Sequence, residues 1–143
     1  MLVSSDGTTS GMVSGGCLET DLAERARAVL REGSARTVVY DMRSPDDIVW
    51  GLGLGCDGEV RVLLERIAPE EPPEWCRFAV AARENRNAAA IATIFESDDQ
   101  ALVGKRCWAA ANGDGGGSTG SDDLDAGLQT SARECLEDGR LYS

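Results

Sequence analysis

The chain has 143 residues, 42% of them hydrophobic, with 25 acidic against 14 basic side chains and a formal charge of -11. A chain of this size builds one core or two small lobes, and a charge of this sign excludes nucleic acid, whose phosphates require clustered Lys and Arg. No apolar run nears the ~20 residues that span a bilayer, and MLVSSDGTTS has neither the basic start nor the apolar core of a signal peptide.

In chain order, MLVSSDG (1–7) and TTSGMV (8–13) are short β-branched runs around Asp6-Gly7, a hairpin dipeptide in which both central residues accept positive φ. Leu18, Leu22, Ala26, Val29 and Leu30 then recur at helical spacing up to Gly33, a C-terminal glycine stop. Ser14-Gly15-Gly16-Cys17 opens this helix. There, unpartnered amides and two glycines admit an anion such as a phosphate close to the main chain, and the helix end favours a Cys17 thiolate. The same glycines also suit a turn with no ligand, with Cys17 a small core residue. Glu19 in the first helical turn is favourable against the helix dipole even without a ligand.

RTVVYD (36–41) reads as a strand, SPDD (44–47) as a turn or helix start, and GEVRVLLE (58–65) as a further strand. Between them GLGLGC (51–56) surrounds Cys56 with Gly51, Gly53, Gly55 and Gly58, either a second site loop or a plain connection. PEEPP (69–73) is a linker, EWCRFAVAARENRN (74–87) a helix with Phe78, Ala79 and Ala82 inward, and AAAIATIFE (88–96) a strand. Histidine is absent and the five cysteines form no C-x-x-C pair, which argues against structural zinc. An odd number of cysteines without a secretory address points to reduced thiols in the cytoplasm. Lys105 is the only lysine beside 13 arginines, a halophilic-like acidic composition or simply that of an acidic cytoplasmic protein from a GC-rich genome.

An offset of 106 lays residues 1–36 on 107–142 without a gap. Gly7 meets Gly113, Gly11 meets Gly117, Leu18 meets Leu124, Leu22 meets Leu128, and Gly33 meets Gly139; Glu19 meets Asp125 as a conservative pair. Each copy is expected to be a hairpin followed by a helix. The second carries Gly120-Ser121-Asp122-Asp123 where the first has the cysteine motif, so the fold repeats and the chemistry does not. The expected class is α/β: mixed sheet lobes with hairpins and covering helices. The division is a lobe at 1–68, a linker and helix at 69–87, and a second lobe at 88–143. Each copy lacks a piece the other has, which reads as a section of a longer two-lobed protein, truncated at both ends.

DGTTSGMVSGGCLETDLAERARAVL (6–30), followed by VWGLGLGCDGEVRVLLE (49–65), resembles the XdhC/CoxI family of accessory proteins for molybdenum hydroxylases. In that family an SGGC-(V/L)-E segment precedes a helix and a GLGC-G-G segment precedes a strand. The resemblance implies a cofactor-binding chaperone rather than a catalyst. It would bind the molybdenum cofactor (molybdopterin) transiently, aid its sulfuration by a cysteine desulfurase, and assist its insertion into a molybdenum hydroxylase such as xanthine dehydrogenase. The matching residues are Ser14, Gly15, Gly16, Cys17 and Glu19 in the first motif and Gly53, Gly55, Cys56 and Gly58 in the second, with Cys17 and Cys56 as molybdenum contacts. Asp57 stands where the family usually has glycine, and the C-terminal Rossmann-type domain of longer members is not expected here.

Two other readings stay open: a thiol redox protein using Cys17 and Cys56, and a remnant with a purely structural role. A joint site places Cys17 and Cys56 within roughly 10 Å at one end of a sheet. Cys76, Cys107 and Cys135 are expected to be structural. Incomplete copies leave sheet edges that invite a homo-oligomer.

Overall fold

The computed structural model describes residues 1–41, 58–68 and 70–140 and divides into two compact units, 1–66 and 67–143. SPDD, GLGLGC with Asp57, Pro69 and the carboxyl-terminal three residues lie outside the described residues.

In the first unit, β1 (Leu2–Val3) and β2 (Thr9–Ser10) form an antiparallel hairpin, pairing Leu2 with Ser10 and Val3 with Thr9. The turn is longer than Asp6-Gly7 alone predicts. Ser4 accepts from the Gly7 amide at 2.9 Å and donates to the Thr8 carbonyl at 2.9 Å, and only Gly7 takes a positive φ (88°). Asp6 keeps negative φ because its carboxylate accepts the Thr8 amide and hydroxyl, at 2.9 and 2.7 Å. This local turn suits a three-residue loop closed by a left-handed glycine. Helix α1 (Glu19–Glu32) ends as its sequence predicts, with Gly33 at φ 80° and its amide on the Val29 carbonyl at 2.8 Å. Leu18, just before the helix, and Leu22 and Val29 within it, spaced four and seven residues apart, are buried, as is Val38 further along the unit. Strands β3 (Arg36–Asp41) and β4 (Glu59–Leu64) pair antiparallel from Arg36 opposite Leu64 to Asp41 opposite Glu59.

In the second unit, α2 (Glu74–Glu84) starts at Pro73, whose fixed φ of -54° suits a helix entry, and ends three residues short of the expected 87. The three-stranded antiparallel sheet has order β5 (Ala89–Thr93), β6 (Arg106–Ala110), β7 (Gly115–Gly117). α3 (Asp122–Asp138) packs on β5 and β6, and so does α2. The core here is Ala82, Val103, Cys107, Trp108, Ala109, Ala110 and Ala132. The ring of Phe78 lies 5.9 Å from that of Trp108, and all three residues of β7 are glycines that Trp108 approaches closely. A Cβ on Gly116 would stand 3.0 Å from the indole.

The internal repeat holds in geometry. Trp108 pairs with Gly116 and Ala109 with Gly115, the counterparts of the two β1–β2 pairs. Ala110 repeats both main-chain bonds of Ser4, to Asp114 at 2.8 Å and from Gly113 at 3.0 Å. Asn112 accepts the Asp114 amide as Asp6 accepts that of Thr8. Gly139 closes α3 on the Cys135 carbonyl as Gly33 closes α1 on Val29. The class is therefore α/β with an internal repeat, and every strand pair among the described residues is antiparallel.

Candidate functional site: the Ser14–Glu19 bend

Residues 11–18 form a bend between β2 and α1, and Leu18 rather than Ser14 is the residue from which the helix starts. Ser14 organises the bend. Its carbonyl accepts the Gly16 amide at 2.8 Å, and its hydroxyl accepts the Leu18 amide at 3.0 Å while donating to Glu19 Oε2 at 2.8 Å. Glu19 Oε1 accepts the amides of Ser14 (2.7 Å) and Val13 (3.0 Å). The first residue of α1 thus reaches back and ties down the loop that precedes it, a longer-range variant of the capping box. The bonds from the Ser14 amide and hydroxyl, then from Val13, hold the Glu19 carboxyl down at about 2. It is a fixed negative charge, not a proton carrier near neutrality.

Gly15 and Gly16 leave the front of the bend open, since a Cβ on either would meet nothing within 4 Å. Gly16 requires glycine for another reason, its φ of 110°. Cys17 is a half-buried free thiol two residues before α1, and the first amides of the helix have no intrahelical acceptor.

The second copy shows what is particular to the first. Asp125, the counterpart of Glu19, accepts the Thr119 amide at 2.6 Å, the Thr119 hydroxyl and the Ser118 hydroxyl, and Thr119 is the counterpart of Val13. Both copies make this tie, but α3 begins at Asp122, the counterpart of Gly16. Gly16, Cys17 and Leu18 therefore stand outside their helix where Asp122, Asp123 and Leu124 are inside theirs. Glycine disfavours a helical turn by up to about 1 kcal/mol, whereas aspartates favour the first one. Leu18 turns inward, 5% exposed, while Leu124 is 41% exposed.

Sequence reading missed a cluster beside this bend. Asp21 Oδ2 accepts Arg25 Nε at 2.6 Å and the Tyr40 hydroxyl at 2.5 Å, and the Arg25 guanidinium lies 5.9 Å from the centre of the Tyr40 ring. Burial pushes the Tyr40 hydroxyl up, reinforced by Asp21. Burial works to raise Asp21 as well, but the bonds from Arg25 and Tyr40 outweigh it and leave the carboxyl low. The i,i+4 spacing of Asp21 and Arg25 was a readable signal for that pair; the reach to Tyr40 was not.

Gly58 adjoins the last β3–β4 pair, Asp41 with Glu59, at the ladder end that Tyr40 ties to the first turn of α1. Gly53, Gly55, Cys56 and Asp57, and with them the Cys17–Cys56 approach, lie outside the described residues. Among the described residues no group of three His, Cys, Asp or Glu is arranged to hold a metal ion, and no helix is long and apolar enough to cross a membrane. Cys76 and Cys135 lie in helices, half-buried. Cys107 is fully buried in β6, where burial, then the Asp125 carboxylate at 3.9 Å, raises its thiol.

A hairpin, a glycine-cysteine bend locked by a helical glutamate, and a helix define a small α/β module with one open, thiol-bearing loop. The model of the XdhC and CoxI family matches residues 1–41, which hold this whole module. A curated relative from Bacillus subtilis (strain 168), named as a probable xanthine dehydrogenase component, is 42% identical over 71 residues, which are 50% of this chain and 22% of the relative. A crystal structure from Bacillus halodurans, described as a xanthine dehydrogenase, superposes with a TM-score of 0.61 at 33% identity, over 81% of this chain and 34% of that one. The match to the XdhC and CoxI family rests on this segment, and the chain spans about a fifth of the curated relative and a third of the solved chain.

Proposed function

We propose that the chain is an accessory factor for the maturation of a molybdenum hydroxylase of the xanthine dehydrogenase type. It holds the molybdenum cofactor transiently at the Ser14–Glu19 bend, for sulfuration by a cysteine desulfurase and insertion into the target enzyme. The observation that carries this reading is the open Ser14–Glu19 bend with its Gly15-Gly16-Cys17 run, which the second copy replaces by Ser121-Asp122-Asp123. Its residues fit the cofactor's chemistry. The terminal phosphate of molybdopterin suits the first amides of α1 and the uncovered backbone at Gly15 and Gly16, and the Cys17 sulfur is a soft donor toward molybdenum or its transferable sulfur.

Bound, the cofactor would supply the metal centre that the hydroxylase needs. The chain's own part is to hold the loop open, present the thiol and keep the bend rigid through Glu19. With 25 acidic residues in the chain, a long-range field repels an anionic ligand, so affinity rests on these local donors. A second contact from Cys56, with Gly53, Gly55 and Gly58 shaping its loop, belongs to the same proposal. It is supported by the placement of Asp41 and Gly58 at the end of the ladder tied to α1. The test is co-expression with a molybdopterin-producing host and assay of pterin and molybdenum in the purified chain. Stoichiometric retention supports the reading; a chain free of both overturns it.

A further inference from the structure

The hydrogen bond from the Tyr40 hydroxyl to Asp21 links the first turn of α1 to the end of the β3–β4 ladder. We propose that Asp21, Arg25 and Tyr40 form a clamp that positions the Cys17 bend against the Asp41–Glu59 end of the β3–β4 ladder. They are positioning residues for the cofactor site and do not contact the ligand. Three observations carry this. Asp21 is two residues into the helix whose first residue, Glu19, locks the bend, so the clamp and the lock act on one turn. Tyr40 pairs with Val60 one step from the ladder's end. The counterparts of Asp21 and Arg25 in the second copy are Gly127 and Ser131, so the clamp exists only in the copy that has the SGGC bend.

Arg25 holds the carboxylate and flanks the ring, which leaves one oxygen of Asp21 committed to both partners. A hydrogen bond to a charged acceptor is stronger than a neutral one, and its loss frees the turn locally without opening a core.

This inference rests on the proposed cofactor site, but one arm of its test does not. In the full chain, Tyr40→Phe and Asp21→Ala should speed amide exchange across residues 13–22 by about ten-fold while leaving α3 unchanged, as expected for one lost charge-assisted bond. Asp21→Asn, which keeps a neutral acceptor for Tyr40 but loses the charge, should restore part of the protection. Retained pterin and molybdenum should fall in the first two variants and recover in part in the third. Exchange in Tyr40→Phe equal to that of the unmodified chain would overturn the clamp, whatever the cofactor result. Faster exchange in a chain that binds no cofactor would support the clamp and sink the cofactor reading alone. Should Asp21→Ala fail to fold, Tyr40→Phe, which removes one oxygen, decides the matter.

Discussion

Glycines that look alike in the sequence carry opposite duties. A Cβ on Gly117 would stand 2.2 Å from the Arg106 carbonyl and 2.7 Å from Cys107 Cα, at a φ of 93°. Gly117→Ala is therefore expected to cost about 3 kcal/mol or more, by clash and backbone strain together. Gly15→Ala meets nothing within 4 Å and should leave the melting temperature unchanged while narrowing the bend. Equal thermal stability of the two variants, measured by calorimetry, would refute this distinction. The cysteines divide in the same way. Cys107→Ser places a hydroxyl in a fully buried strand position beside Asp125 and should cost roughly 1–3 kcal/mol in urea titrations. Cys135→Ser, at a half-buried helical position, should cost less. The sequence placed all three of Cys76, Cys107 and Cys135 in regular elements, because helical and strand periodicity are local. It could not rank their burial, which depends on what packs across the unit.

At the scale of elements, the tie from Glu19 to the preceding loop makes α1 sensitive to acid. The carboxyl is held at about 2 in the folded chain against an ordinary 4.5. A depressed folded value contributes stability that is complete above pH 4.5 and is lost as the pH falls through 2. Acid unfolding of the first unit should thus steepen in that window, and Glu19→Gln should flatten the profile. An unchanged acid profile in Glu19→Gln, followed by circular dichroism, would show that the tie contributes nothing. Hairpins and helix stops were legible because Gly7, Gly33 and Gly139 punctuate them. The start of α1 was not. A gapless repeat implies that both helices open at the same register, and only the structure shows α1 starting three residues late, where Gly15 and Gly16 weaken the first turn. The Asp21–Tyr40 bond, spanning 19 residues, has no signature in local pattern.

For the whole molecule, the repeat builds the same hairpin and helix from two stretches of unlike sequence. β6 is flanked by β5 and β7, whereas β1, its counterpart, is flanked among the described residues by β2 alone. Leu2 is 67% exposed where Trp108 is 8%. The family segment was readable from SGGC and the helix that follows, while the second motif, around Cys56, was readable only as sequence. The central claim is that the Cys17 bend holds the molybdenum cofactor. It is tested most directly by assaying pterin and molybdenum in the chain and in Cys17→Ser, each purified after co-expression with cofactor synthesis. Both components should be retained by the unmodified chain and lost from Cys17→Ser at unchanged thermal stability. Absence of both from the unmodified chain, or equal retention in Cys17→Ser, would contradict it.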